Sequence, residues 1–288
     1  MHDDLTDKIK APWHARLLGR DNVQIPVVRL SGTIEASQKP DRINIANAAP
    51  LLKRAFKNKQ APAVAIIINS PGGSPVQSRL VAKYIRDLAK EKNKKVLVFI
   101  EDVAASGGYF IATAGDEIIA DPSSIVGSIG VISATFGFVD AIEKLGVSRR
   151  VYTAGENKST LDPFLPEDPK DVERLKRLQL DVHEVFKDFV KERRGDKLDL
   201  DKEGLFSGEF WTGKSAIEFG LVDALGDIYE TLQKRYGKKV KLVKIEERRS
   251  LFSMPRVPFL GGQIGQQSLS DDVLSTLKAQ AHWSRFGL

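Results

Sequence analysis

Apolar residues along this chain fall into two recurring patterns: short unbroken runs, and longer stretches with helical spacing. The runs at 63–69 (AVAIIIN) and 96–100 (VLVFI) predict strands buried on both faces, as in a parallel sheet. Residues 23–30 (VQIPVVRL) predict an earlier strand, ended by Ser31-Gly32. Residues 43–58 have helical periodicity, and Pro50 inside them predicts a helix broken into two pieces. Residues 76–92 predict an amphipathic helix with Leu80, Val81, Tyr84, Ile85 and Leu88 on one face. After an uncharged, small-residue stretch at 104–115, the pattern predicts a helix at 135–145 and a strand at 149–153. The longest helix is predicted at 169–194, where Leu175, Leu178, Val182, Val185, Phe186 and Phe189 recur at helical spacing and Gly195 supplies the stop. Helices at 211–219 and 227–236 and a strand at 240–245 complete the periodic part. From Arg248 onward the chain is apolar, punctuated by Pro and Gly, and aperiodic, with a last amphipathic helix predicted at 270–283.

Strands alternating with helices predict an α/β fold with parallel strands and crossover helices. The simplest division is a polar N-terminal extension (1–22), one domain (23–246) and a partly apolar tail (247–288). The N-terminus lacks the apolar core of a secretory signal, and no window reaches about 18 uninterrupted apolar residues. No signal peptide or transmembrane helix is expected, and the predicted location is cytoplasmic. The tail's Leu251, Phe252, Met254, Val257, Phe259 and Leu260 suggest peripheral membrane contact or docking onto another subunit, and a disordered segment fits the same pattern equally well.

Composition removes some chemistry. The 288 residues contain no cysteine, which excludes disulfides, thiolate metal sites and cysteine nucleophiles. The formal net charge of +6 is mild, and no basic block with interleaved aromatics stands out, so nucleic acid is not an expected partner. The four histidines, His2, His14, His183 and His282, neither follow a predicted strand nor sit in a glycine turn. That leaves a Ser-His-Asp triad and a histidine metal site poorly supported.

The chemistry concentrates between Asp102 and Ser133. Ser106 precedes two glycines and a small-residue helix, and Ser128 is a second glycine-flanked serine. A hydroxyl at a helix start suits a nucleophile, because N-terminal N–H groups favour negative charge; it equally suits a serine that merely caps a turn. Lysine serves as a general base when its surroundings lower its pKa. Lys158 stands apart from the lysines on charged helical faces, in a loop between a predicted strand and several prolines; an ordinary surface lysine is the alternative. Gly72-Gly73 lies between a strand and a helix, where free N–H groups can hold an oxyanion. A plain helix-entry turn or a phosphate site fits the same pattern, although the full Walker motif is absent.

Four segments together resemble the signal peptide peptidase A (protease IV) family of Ser–Lys peptidases: INSPGGSPVQS (68–78), ASGGYFIATAGDEIIADPSSIVGSIGVI (105–132), GENKSTLDPFLPED (155–168) and SGEFWTGKSAIEFGLVDALGD (207–227). The resemblance implies a ClpP/crotonase-like β-β-α spiral in a single domain, of the compact type with both catalytic residues in one subunit. It implies Ser106 as nucleophile, Lys158 as general base, Ser128 as the serine that holds the lysine amine, and the Gly73 N–H, beside Gly72, as the oxyanion hole. No cofactor or metal is implied. The implied substrates are signal peptide remnants and other unfolded apolar segments, and the implied assembly is a homo-oligomer. A crotonase-like acyl-CoA enzyme and a non-catalytic peptide-binding scaffold are the alternatives. The first needs acidic catalytic residues, and the Ser106/Lys158 pair argues against the second.

Overall fold

The computed structural model describes residues 22–37, 39, 41–155, 157–246 and 280–287. Strands β1 (Gln24–Ser31), β2 (Ala63–Ser70) and β3 (Lys95–Ala105) lie side by side in parallel. Helix α1 (Ile45–Phe56) makes the crossover from β1 to β2, and α2 (Pro75–Lys92) the crossover from β2 to β3. Strand β3 then forks. Its first half pairs in parallel with β4 (Glu117–Ala120), and its last three residues pair with β5 (Ile125–Gly127). Strand β6 (Phe210–Thr212) adds antiparallel to β5, β7 (Ala224–Leu225) pairs with β4, and β8 (Lys241–Lys244) closes the opposite edge beside β1. The short α3 (Gly107–Ala112) follows β3, α4 (Val139–Lys144) lies in a polar connection, and α5 (Pro169–Arg194) is the long helix. A turn of helix, α6 (Gly213–Ala216), and α7 (Ile228–Tyr236) complete the set.

Both sheet faces are covered, which explains the unbroken apolar runs. Val64, Ile66, Val98 and Ile100 face the layer formed by α1, α2, α3 and α5. Ala65, Leu97 and Phe99 face the other side, where Leu232 of α7 packs with Ile25 and Val27. Helix α2 uses the predicted face: Val81, Ile85 and Leu88 are buried, and Asn93 ends it in the left-handed conformation.

Four expectations need correcting. The helix around Pro50 does not break. Pro50 removes one N–H, the donor that would reach Ala46 O, and the buried face of Ala48, Leu52, Ala55 and Phe56 holds the helix across that loss. Residues 149–153 form no strand: Val151 and Tyr152 are exposed and have no neighbouring strand to pair with among the described residues. Of the helix expected at 211–219 only Gly213–Ala216 is helical: Trp211 and Thr212 belong to strand β6, where Trp211 pairs with Val126 and packs on the Phe219 ring at 4.2 Å, and 217–219 form a turn. The helix at 135–145 shortens to Val139–Lys144, which lacks a side-chain N-cap. The apolar tail residues from Leu251 to Leu260 lie outside the described residues, as does most of the helix expected at 270–283; residues 280–284 are helical.

A buried ion pair locks the closing segment. Arg194, at the end of α5, donates to both Asp223 oxygens at 2.8 and 3.1 Å and to Gly220 O at 2.9 Å. Asp223 also accepts from Lys197 and from the Ile118 N–H of β4, each at 2.7 Å. Burial pushes the Asp223 carboxyl up, but hydrogen bonds from Arg194 and Lys197 outweigh it and hold the group below its ordinary 3.8. Asp223→Ala strands Arg194, whose side chain is 2% exposed, and is expected to cost about 3–5 kcal/mol, read as a lower urea midpoint. Because the folded pKa is depressed, the contribution is complete above pH 3.8 and is lost as pH falls through the folded value. The gap between wild type and variant should therefore narrow in acid.

Candidate active site

Three strand ends meet where the site forms. The register pairs Ser70 with Ala104 and Ala105 with Gly127, so residues 71–73, 106 and 128 emerge at the same end of the sheet. A bulge sets this up. Between the pairs Ile68–Ile100 and Ser70–Ala104, β3 advances four residues while β2 advances two. The surplus falls at Glu101-Asp102. Asn69 holds it, donating to Asp102 Oδ2 at 2.6 Å and accepting from the Val103 N–H at 3.2 Å. Such a bulge bends the strand and re-aims its end.

Ser106 follows directly, at φ 51° and ψ −121°. A residue with a side chain held there costs about 1–3 kcal/mol, so the surrounding structure must enforce it. Its N–H donates to Gly127 O at 2.8 Å, and its carbonyl accepts from the Phe110 N–H at 2.9 Å. Its hydroxyl makes no capping bond, so the helix-cap alternative does not describe this serine. Helix α3 is only six residues long and offers little dipole, which leaves oxyanion stabilisation to other donors. Ser128 repeats the geometry on the adjacent strand: φ is 53°, the residue is buried, and its N–H donates to Glu209 O at 2.6 Å. The Ala105–Gly127 register makes the two serines neighbours across β3 and β5, on strands about 4.8 Å apart.

The Gly72-Gly73 loop lies against Ser106. Ile34 N–H donates to Gly72 O at 2.9 Å, and Ser74 N–H donates to Ile34 O at 2.8 Å. Successive N–H groups of an extended segment alternate sides, so the Gly73 N–H faces away from Ile34. A Cβ built on Gly107 would lie 3.4 Å from Gly73 N, which places that nitrogen at the start of α3 beside Ser106. Side chains are excluded at both glycines. A Cβ on Gly73 (φ +142°) would fall 2.1 Å from Ile34 O, and one on Gly72 (φ +104°) 2.9 Å from Ser106 Cβ.

A cavity of about 210 Å³ opens beside the serine. Ser106, Gly107, Gly73 and Gly130 line it, together with Val76, Phe110, Val131, Val182 and Phe186 and with Arg79. Sequence reasoning missed the wall from α5, because its apolar stripe reads as core. His183, on the same helix, bonds Ile129 O through Nε2 at 3.0 Å and so braces the segment after Ser128. A larger cavity of about 400 Å³, lined by Glu167, Pro169, Val172, Glu173 and Lys176, contains none of the sequence-predicted site residues.

Lys158 is placed differently. It sits in an exposed turn, its N–H bonded to Gly155 O at 3.3 Å. It does not line the serine's cavity, and no hydrogen bond joins it to Ser106 or Ser128 among the described residues. The connection that carries it exposes large apolar side chains, including Phe136 at 79% and Tyr152 at 91%. Within one chain, then, Ser106, Ser128, Gly72 and Gly73 come together, and Lys158 stays apart.

The model of peptidase family S49 matches residues 88–242, more than half of the chain, spanning Ser106, Ser128 and Lys158. The chain belongs to peptidase family S49. The family's ClpP-like fold agrees with the mixed α/β, mostly parallel sheet, and with the spiral and single domain expected from sequence. A Brucella melitensis protein named Na(+)/H(+) antiporter NhaA is 56% identical over 275 residues, covering 92% of this chain and 37% of the relative. The chloroplastic serine protease SPPA of Arabidopsis thaliana is 31% identical over 252 residues, covering 83% and 36%. Protease 4 of Haemophilus influenzae is 32% identical over 216 residues, covering 73% and 34%. This S49 chain thus spans little more than a third of each of these relatives. Among its described residues no helix is long and apolar enough to cross a membrane.

Proposed function

We propose that this S49 chain is a serine endopeptidase using a Ser–Lys dyad, acting on signal peptide remnants and other unfolded apolar segments. The observation that carries the proposal is the strained, uncapped Ser106 beside the Gly73 N–H and an apolar cavity. Ser106 Oγ attacks the peptide carbonyl and gives its proton to neutral Lys158 Nζ. The Gly73 N–H holds the oxyanion, Lys158 passes the proton to the leaving amine, and water then releases the acyl group from Ser106. Ser128 accepts the lysine amine's hydrogen bond and orients it without adding charge. The cavity is lined largely by apolar side chains, which fits apolar peptides.

The exposure of Lys158 and of the apolar side chains around it supports an assembly in which this connection packs on a second copy. In such a homo-oligomer Lys158 of one copy serves Ser106 of its neighbour. Mixing Ser106→Ala with Lys158→Ala subunits, after dissociation and reassembly, tests this. Each variant alone should be inactive. Their mixture should recover about a quarter of wild-type activity if subunits pair at random. A mixture as inactive as its components would place both residues of each site in one subunit.

A further inference from the structure

The parallel strands β3, β2, β1 and β8 start at one end of the sheet, where Lys95 pairs with Ala63 and Lys241 with Gln24. The segments delivering the chain to that end are 57–62, 90–95, 116–117 and 234–241. Together they carry eleven cationic side chains against three carboxylates, a net of +8, which exceeds the +6 of the whole chain. All three carboxylates are already paired: Glu91 with Lys92, Asp116 with Arg86, and Glu117 with Arg235. Lys57, Lys59, Lys95, Lys238, Lys239 and Lys241 are exposed and form no ion pair among the described residues. The fold therefore gathers charge that is scattered along the chain into one basic end, opposite the end that carries Ser106.

We propose that this basic end docks on an anionic membrane surface. Ten of its eleven cations are lysines, at helix ends, turns and strand starts, point charges suited to a diffuse layer of headgroups, and the one aromatic side chain in these segments, Tyr236, packs against the core beside Leu232 rather than standing free to stack on bases. Docking this way puts the eleven-residue strand β3 between the membrane and Ser106, so the serine stands about 35 Å from the headgroups. The proposal concerns a surface remote from the serine, and it stands or falls independently of the peptidase reading.

Co-sedimentation of the full chain with vesicles tests it. Vesicles with roughly 30% phosphatidylglycerol should bind the protein and neutral phosphatidylcholine vesicles should not, with binding lost as salt shortens the Debye length. The quadruple variant Lys57→Glu, Lys59→Glu, Lys238→Glu, Lys239→Glu should partition at least about a hundredfold more weakly. The corresponding Lys→Arg variant keeps the charge and should still bind, separating loss of charge from loss of fold. Equal binding by wild type and the Glu variant would overturn the proposal, as would equal binding to anionic and neutral vesicles. Tighter binding to duplex DNA than to anionic vesicles would overturn the choice of partner.

Discussion

Ser106→Ala is expected to abolish peptide hydrolysis, lowering kcat by at least about ten-thousandfold on a fluorogenic apolar peptide. The size of the effect follows from covalent catalysis. Without Oγ no acyl-enzyme forms, and only the oxyanion donor and binding remain. The fold should not suffer. Ser106 is half-buried and its hydroxyl makes no capping bond, and its backbone bonds to Gly127 and Phe110 are independent of the side chain. A melting temperature within a few degrees of wild type should accompany the loss. Residual activity near wild type would remove Ser106 from the mechanism.

The second large effect is expected at Gly73. Gly73→Ala places a methyl group 2.1 Å from Ile34 O on a backbone at φ +142°, so the loop must move. That movement displaces the N–H beside Ser106, and losing one such donor costs about a hundred- to thousandfold in rate. Strain from the unfavourable φ adds about 1–3 kcal/mol of destabilisation. Gly237→Ala is the control for backbone strain alone: its φ is +91° and a Cβ there meets nothing within 4 Å. That variant should show mild destabilisation and unchanged kcat. Equal effects on rate from the two substitutions would mean that Gly73 acts only through stability.

Much of this architecture is legible along the chain because single segments carry it. The runs at β2 and β3 are apolar on both faces because helices or a packed loop cover both faces. The periodicities of α2 and α5 end where Asn93 and Gly195 turn the chain. Ser106, Ser128 and the Gly72-Gly73 pair are recognisable because glycine neighbours mark backbone that must bend sharply. What sequence hides is what depends on contact between distant segments. The two-residue bulge at Glu101-Asp102 looks like the end of a strand, yet it is what brings Ala105 into register with Gly127. Trp211 looks helical until Val126 offers it a strand partner. The position of Lys158 relative to Ser106 is set by the packing of a long polar connection, about which periodicity says nothing. The basic end is invisible for the same reason: no one segment holds its charge, and three strand entries, 57–62, 90–95 and 234–241, assemble it.

Labelling with a fluorophosphonate, followed by peptide mapping, tests the pairing of Ser106 with Lys158 most directly, since the reagent modifies only an activated serine. The assembled wild-type protein should carry one adduct per subunit, on Ser106. Ser106→Ala should take up none, and Lys158→Ala should label at least about a hundredfold more slowly, because the hydroxyl then lacks its proton acceptor. An adduct on another serine, or labelling of Ser106 at an undiminished rate in Lys158→Ala, would contradict the account.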